Sequence, residues 1–227
     1  MQTPARLLLG LGLLLGACST SRPVQPGAPM TLNAHPIVQS GEAVLRGRAV
    51  EIEPQEFGSP ALEALVARMV ETMRAAPGVG LAAPQIGVAK RVIVFEDPEA
   101  YQLKLSPAER AERERVVVSL QVLVNPVLTP IGDERATFFE GCLSVAGFVG
   151  LVERAREVQV TGFDARGKPV SLQLRGWPAR ILQHEVDHLN GTLYVDRMMP
   201  RSFSTAEAAR TRFAGKAIAE ILRELGL

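Results

Sequence analysis

Apolar positions recur at two different periods along this chain, and the changes of period mark its elements. Leu62, Leu65, Val66, Met69, Val70 and Met73 fall on one stripe while Glu63, Arg68, Glu71 and Arg74 face away, which predicts an amphipathic helix. Ser59 suits its N-cap and Pro60 its first turn, and Pro77-Gly78 lies beyond its end. Its methionines read as core filler. Ile181, Leu182, Val186 and Leu189 recur at helical spacing in a second helix, which Pro178 can start and Gly191 can stop. Strands are predicted at 91–95, at 116–124 (ending at Asn125-Pro126) and at 134–139. Residues 157–164 and 169–174 read as a hairpin across Ala165-Arg166-Gly167-Lys168.

The remaining stretches are less regular. Residues 37–52, interrupted by Gly41 and Gly47, read as an extended arm. Residues 96–115 are charged and carry Pro98 and Pro107, which predicts a surface insertion with a helical turn from Pro107 onward. A final helix is expected over 205–225, with Phe213, Ala217, Ile218, Ile221 and Leu222 on one side, packed on the sheet or left exposed for a partner. Short strands around one central apolar helix predict an α+β fold with mainly antiparallel sheets. Strand and helix do not alternate as a doubly wound fold requires.

The N-terminus stands apart. Arg6 precedes an apolar run at 7–15 and then Gly16-Ala17-Cys18-Ser19, a signal-like leader too short to span a bilayer comfortably. Leu15-Gly16-Ala17-Cys18 resembles the lipobox of bacterial lipoproteins, in which the cysteine becomes a lipid-modified N-terminus. That gives a leader at 1–18, a flexible linker at 19–35 rich in Ser, Pro and Gly, a folded domain at 36–203 and a C-terminal helix at 204–227. It also implies membrane anchoring through Cys18 at the cell envelope. The competing reading starts synthesis at Met30 and leaves a cytoplasmic protein.

Charge removes one class of function. Twenty-five basic residues balance twenty-four acidic ones, and aromatics make up 5%, so neither a basic footprint nor a base-stacking platform for nucleic acid is expected.

The candidate chemistry lies in the second helix. Gln183-His184-Glu185-Val186-Asp187-His188-Leu189 contains H-E-x-x-H, and a spacing of four returns both imidazoles to one helix face, within reach of one ion. Glu185 is placed to hold a water on that ion. The chain has three histidines; the third, His35, reads as solvent-exposed. Two imidazoles leave such a site one protein ligand short. Cys142 is the best remaining candidate, because a thiolate binds borderline divalent metals well, although a lone cysteine also serves as a small buried hydrophobe. The small residues of Gly78-Val79-Gly80-Leu81-Ala82-Ala83-Pro84-Gln85 would let another backbone approach, with Gln85 the one hydrogen-bonding side chain. The segment lacks the lysine and spacing of a phosphate loop, and a plain turn is its structural alternative.

Taken together, residues 78–85, Glu140-Gly141-Cys142-Leu143-Ser144 and residues 183–189 resemble, in order, the three signature motifs of the peptide deformylase family. The similarity spans about 36–203. Ser144-Val145-Ala146-Gly147-Phe148, Gly176-Trp177-Pro178-Ala179-Arg180 and the charged insertion look most like its mitochondrial and plant-organelle branch. The resemblance implies removal of formyl groups from N-formylmethionyl peptides. It implies that Cys142, His184 and His188 hold one divalent ion, Fe2+ by preference, with Ni2+, Co2+ or Zn2+ accepted. Glu185 would be general base and then general acid. The Leu143 backbone N–H and the Gln85 amide would stabilise the oxyanion, Gly80 would hold the peptide main chain, and Val79, Phe138 and Trp177 would line the methionine pocket. Asp187 is left as either a support for the site or a surface charge. Two alternatives remain: an H-E-x-x-H metallopeptidase, which usually needs a third histidine or a downstream glutamate, and a catalytically idle lipoprotein binding module.

Overall fold

The computed structural model describes residues 36–103 and 105–227; the expected leader and linker, with Cys18, Met30 and His35, lie outside the described residues. Helix α1 (Pro60–Ala75) begins at Ser59, whose hydroxyl accepts a hydrogen bond from the Leu62 N–H at 3.2 Å. Strands β1 (Gly80–Ala82) and β2 (Val92–Asp97) follow, then the short helices α2 (Glu99–Gln102) and α3 (Pro107–Glu112). Strands β3 (Val118–Pro130), β4 (Arg135–Cys142), β5 (Val145–Ala155), β6 (Glu157–Phe163) and β7 (Pro169–Arg175) lead to helix α4 (Trp177–Leu189). Strand β8 (Ser204–Thr205) and helices α5 (Ala206–Phe213) and α6 (Ile218–Leu225) complete the chain.

The strands form two antiparallel sheets, one ordered β1-β2-β3-β6-β7 and one ordered β4-β5-β8. This is the expected α+β architecture. Helix α4 lies between them, with Ile181, Leu182, Val186 and Leu189 buried against Ile93, Phe95, Leu123, Val158 and Val160 of the larger sheet. A fully buried side chain such as Leu182 contributes about 1.5–3 kcal/mol. The predicted stripe of α1 buries Leu62, Leu65, Met69 and Met73 on the other side of β1 and β2, against Leu81, Val92 and Val94.

Three expectations need correction, and one strand was not foreseen. The expected strand end at Asn125-Pro126 is a bend inside β3, because Asn125 adopts φ 50° and its side-chain amide binds the Ile52 N–H and carbonyl, each at 2.9 Å. Before the bend β3 pairs with β2, and after it mainly with β6. The strand β5 was not expected at all. The expected single helix over 205–225 is two, because Gly215 at φ 71° breaks it; both halves pack on Leu151 of β5 through Ala209, Phe213, Ile221 and Leu225. The charged insertion is not purely superficial either. Asp97 is fully buried by a bidentate ion pair with Arg115, at 2.7 and 2.8 Å.

Candidate metal centre and its cleft

The sulfur of Cys142 and one ring nitrogen each of His184 and His188 lie within 4.8 Å of one another. Cys142 ends β4 and turns through Leu143 and Ser144 into β5, so the sulfur is presented at a hairpin tip beside α4. Its Sγ is 3.2 Å from His188 Nε2. The two imidazoles, one helical turn apart, meet edge to face at 5.0 Å between ring centres. One soft sulfur and two imidazoles leaving one side open fit a borderline divalent cation with a free coordination position.

His184 is aimed from behind. Its Nδ1 is 3.0 Å from Glu140 Oε2, which leaves Nε2 to face the sulfur. Glu140, fully enclosed, also accepts from Arg154 at 3.0 and 2.9 Å and from Arg180 at 2.6 Å. Burial alone would raise the Glu140 pKa, but the hydrogen bonds from His184 and Arg154 outweigh it and hold the carboxyl well below the usual carboxylate range. Burial likewise opposes charge on His184, yet its hydrogen bonds to the Cys142 sulfur and Glu140 raise its pKa well above the ordinary value. Asp187 is a buried support, not a surface charge: it pairs with Arg154 and binds Arg197 through two bonds of 2.7 Å.

Glu185 is the contrasting acid. It is 4% exposed, and its Oε2 has no hydrogen-bond partner among the described residues. Burial pushes its pKa up to about 7. Its carboxyl rests on Gly80, where a Cβ would come within 2.7 Å of Cδ, so only glycine leaves it room. Gln85 is also buried; its Oε1 accepts from the Ala82 N–H at 2.8 Å, which turns Nε2 toward Cys142 Sγ at 3.5 Å and Ser144 Oγ at 3.3 Å.

These groups open on a cavity of about 360 Å³ between β1 and β4, the edge strands of the two sheets. Val79, Gly80, Gln85, Cys142, Leu143, Trp177, His184 and Glu185 all line it, as the motifs led us to expect. Phe138 does not. Its ring lies on the α4 side of β4, edge to face with Trp177 at 6.2 Å and beneath the Arg180 guanidinium, so it backs Trp177; Phe139, which does reach the cavity, stacks its ring on Phe213 at the opposite face of the strand. The insertion closes over Trp177 from outside, with Arg113 and Arg115 guanidiniums 5.3 and 5.4 Å from its ring centre. Sequence reading gave no role to Glu140, Arg154, Arg180, Ser144 or Phe139. For Glu140 a signal existed: a metal-binding histidine needs an acceptor on its other nitrogen, and Glu140 sits in the cysteine motif.

A thiol and two imidazoles one helical turn apart, with a buried carboxyl on the same helix whose Oε2 has no partner among the described residues, define a single-ion centre of the H-E-x-x-H kind. The sequence matches the family described as polypeptide deformylase over residues 34–204, and the chain belongs to that family. It is 52% identical over 171 residues to peptide deformylase 1A, chloroplastic/mitochondrial, of Arabidopsis thaliana, covering 75% of this chain and 64% of that one. With the human mitochondrial peptide deformylase it shares 45% identity over 168 residues, covering 74% and 69% of the two chains. The chain thus spans a little under two thirds of the Arabidopsis relative's length. The actinonin-bound class I type b peptide deformylase of Acinetobacter baumannii superimposes with a TM-score of 0.63 at 37% identity, covering 73% of this chain and 99% of that one.

Proposed function

We propose that this chain is a metal-dependent hydrolase that removes the formyl group from N-formylmethionyl peptides. The observation that carries this reading is the convergence of Cys142, His184 and His188 on one point, with the unpartnered Glu185 carboxyl facing the same cavity. Cys142, His184 and His188 would hold one divalent ion. When bound, it supplies Lewis acidity that activates water and polarises the formyl oxygen. Glu185 takes a proton from the water that adds to the formyl carbon, and returns it to the amine as the C–N bond breaks, releasing formate and a free N-terminus. The Gln85 amide and the Leu143 N–H donate to the formyl oxygen as it gains charge.

The peptide lies extended beside the open edge of β1, with its backbone against Gly80. Val79 and Trp177 line the methionine pocket, with Phe138 backing Trp177. Protein prepared anaerobically, loaded with Fe2+ and given formyl-Met-Ala-Ser should release formate. No release with Fe2+, Ni2+, Co2+ or Zn2+ rejects the reading. Fe2+ is the proposed native ion, tested by elemental analysis of protein purified under nitrogen. For the N-terminus the proposal is cleavage and lipid attachment at Cys18, with anchoring at the cell envelope and with exported or scavenged formyl peptides as substrates. Mass spectrometry of the mature N-terminus decides it, and a chain beginning at Met30 rejects it.

A further inference from the structure

The C-terminal segment reaches the cleft by a route that the three motifs do not use. Strand β8 adds to the outer edge of β5, pairing Ser204 with Val149 and Thr205 with Phe148. This seats Phe203 on Phe148, with ring centres 5.1 Å apart and planes within 9° of parallel. Ala206, the first residue of α5, lines the cavity, and behind the wall Phe213 of α5 stacks on Phe139 at 5.6 Å. Phe139, Phe148 and Ala206 all line the cavity that holds Cys142 and Glu185.

A stacked aromatic pair that served only to fasten β8 would bury both rings. Here Phe148 remains 40% exposed and Phe203 45% exposed, although each covers one face of the other. Phe148 itself lines the cavity and Phe203 lies flat against it, so the pair stands at the cavity rim. An aromatic side chain carries a large apolar area, and leaving two of them side by side in water forgoes that burial unless something covers them. The occupant must be continuous with whatever fills the cavity. A linear peptide anchored by its first residue near Cys142 has to leave the cavity across its rim, and its following side chains are what pass over Phe148.

We propose that Phe148 and Phe203 form an apolar ledge that selects bulky apolar side chains in the residues following formyl-methionine, with the C-terminal segment acting as a specificity element. This rests on the deformylase reading and adds to it a preference that the metal centre does not itself impose. The ledge acts on substrate binding, so its contribution falls on KM more than on kcat.

The test compares kcat/KM for formyl-Met-Leu-Phe and formyl-Met-Ser-Ser, using iron-loaded full-length protein. Wild type should prefer the apolar peptide. Phe203→Ser should lower that preference about fivefold or more, chiefly through KM, the effect expected for losing part of an aromatic contact surface. Phe203→Leu should keep most of the preference, and comparing it with Phe203→Ser at matched melting temperature separates binding from fastening. The inference is overturned if wild type shows no preference, or if Phe203→Ser leaves the ratio unchanged. It is equally overturned if Phe203→Ser slows both peptides alike while lowering the melting temperature, since the pair would then only hold β8 in place. Wild-type protein inactive on both peptides would instead defeat the deformylase reading itself.

Discussion

Glu140 and Glu185 are both buried carboxyls beside the same imidazole, and they end in opposite electrostatic states. Burial raises both. Glu140 then meets Arg154, Arg180 and His184 in a packed interior, and their hydrogen bonds keep it ionised. Glu185 faces the cleft, where Oε2 finds no partner among the described residues, and its pKa stays near 7. One side of α4 is thus a saturated ionic network that fixes a ligand's direction. The other side is left unsatisfied, and an unsatisfied acid close to neutrality can exchange protons.

The largest expected effect falls on the cleft side. Glu185→Gln keeps the shape but cannot shuttle a proton, so kcat should fall by up to about 10⁴-fold while metal content stays at wild-type level. Retained turnover would remove the distinction between the two acids. Gln85→Ala deletes the amide proposed to donate to the formyl oxygen and should cost about 10²–10³ in kcat, measured on formyl-Met-Ala-Ser with metal loading checked. On the network side, Glu140→Ala frees His184 Nδ1, strips Arg180 of its carboxylate partner and leaves Arg154 with Asp187 alone. Metal affinity should weaken about 10–100-fold, with a loss of stability of about 3–5 kcal/mol in denaturant unfolding. An unchanged affinity would show that His184 needs no such support.

The smallest effect sharpens the contrast at the surface. Glu96 is held below its usual value near 4.5 by the hydrogen bonds from Arg74, whose side chain is 54% exposed. A depressed folded pKa gives stability that is present above the unfolded value and is lost as pH falls through the folded one. Wild type should therefore lose slightly more stability than Glu96→Gln as pH drops below about 4.5, by less than about 1 kcal/mol given the exposure of Arg74. Calorimetry across that window checks it.

Much of this was legible before any coordinates. The stripe on α1, the start and stop of α4 and the 157–174 hairpin follow from periodicity and turn chemistry. The ligand set follows from a helical repeat plus one cysteine. The parts that escaped are long-range. Strand β5 carries three consecutive buried residues, Gly150, Leu151 and Val152, so it has no alternation to read. Arg154 and Arg180 look like surface charges until β4, β5 and α4 converge on Glu140. Which face of β4 Phe138 and Phe139 each take follows from its pairing with β5, Phe138 with Val152 and Phe139 with Leu151, and that pairing is made far along the chain.

The cleft is bordered by β1 and β4, each the last strand of a separate sheet. An extended chain laid between them would bridge the two sheets and become a further mechanical tie beside α4 and the Gln85 contacts to Cys142 and Ser144. Occupancy should then be felt well away from the metal ligands, as slower amide exchange along both strands in the presence of the product Met-Ala-Ser.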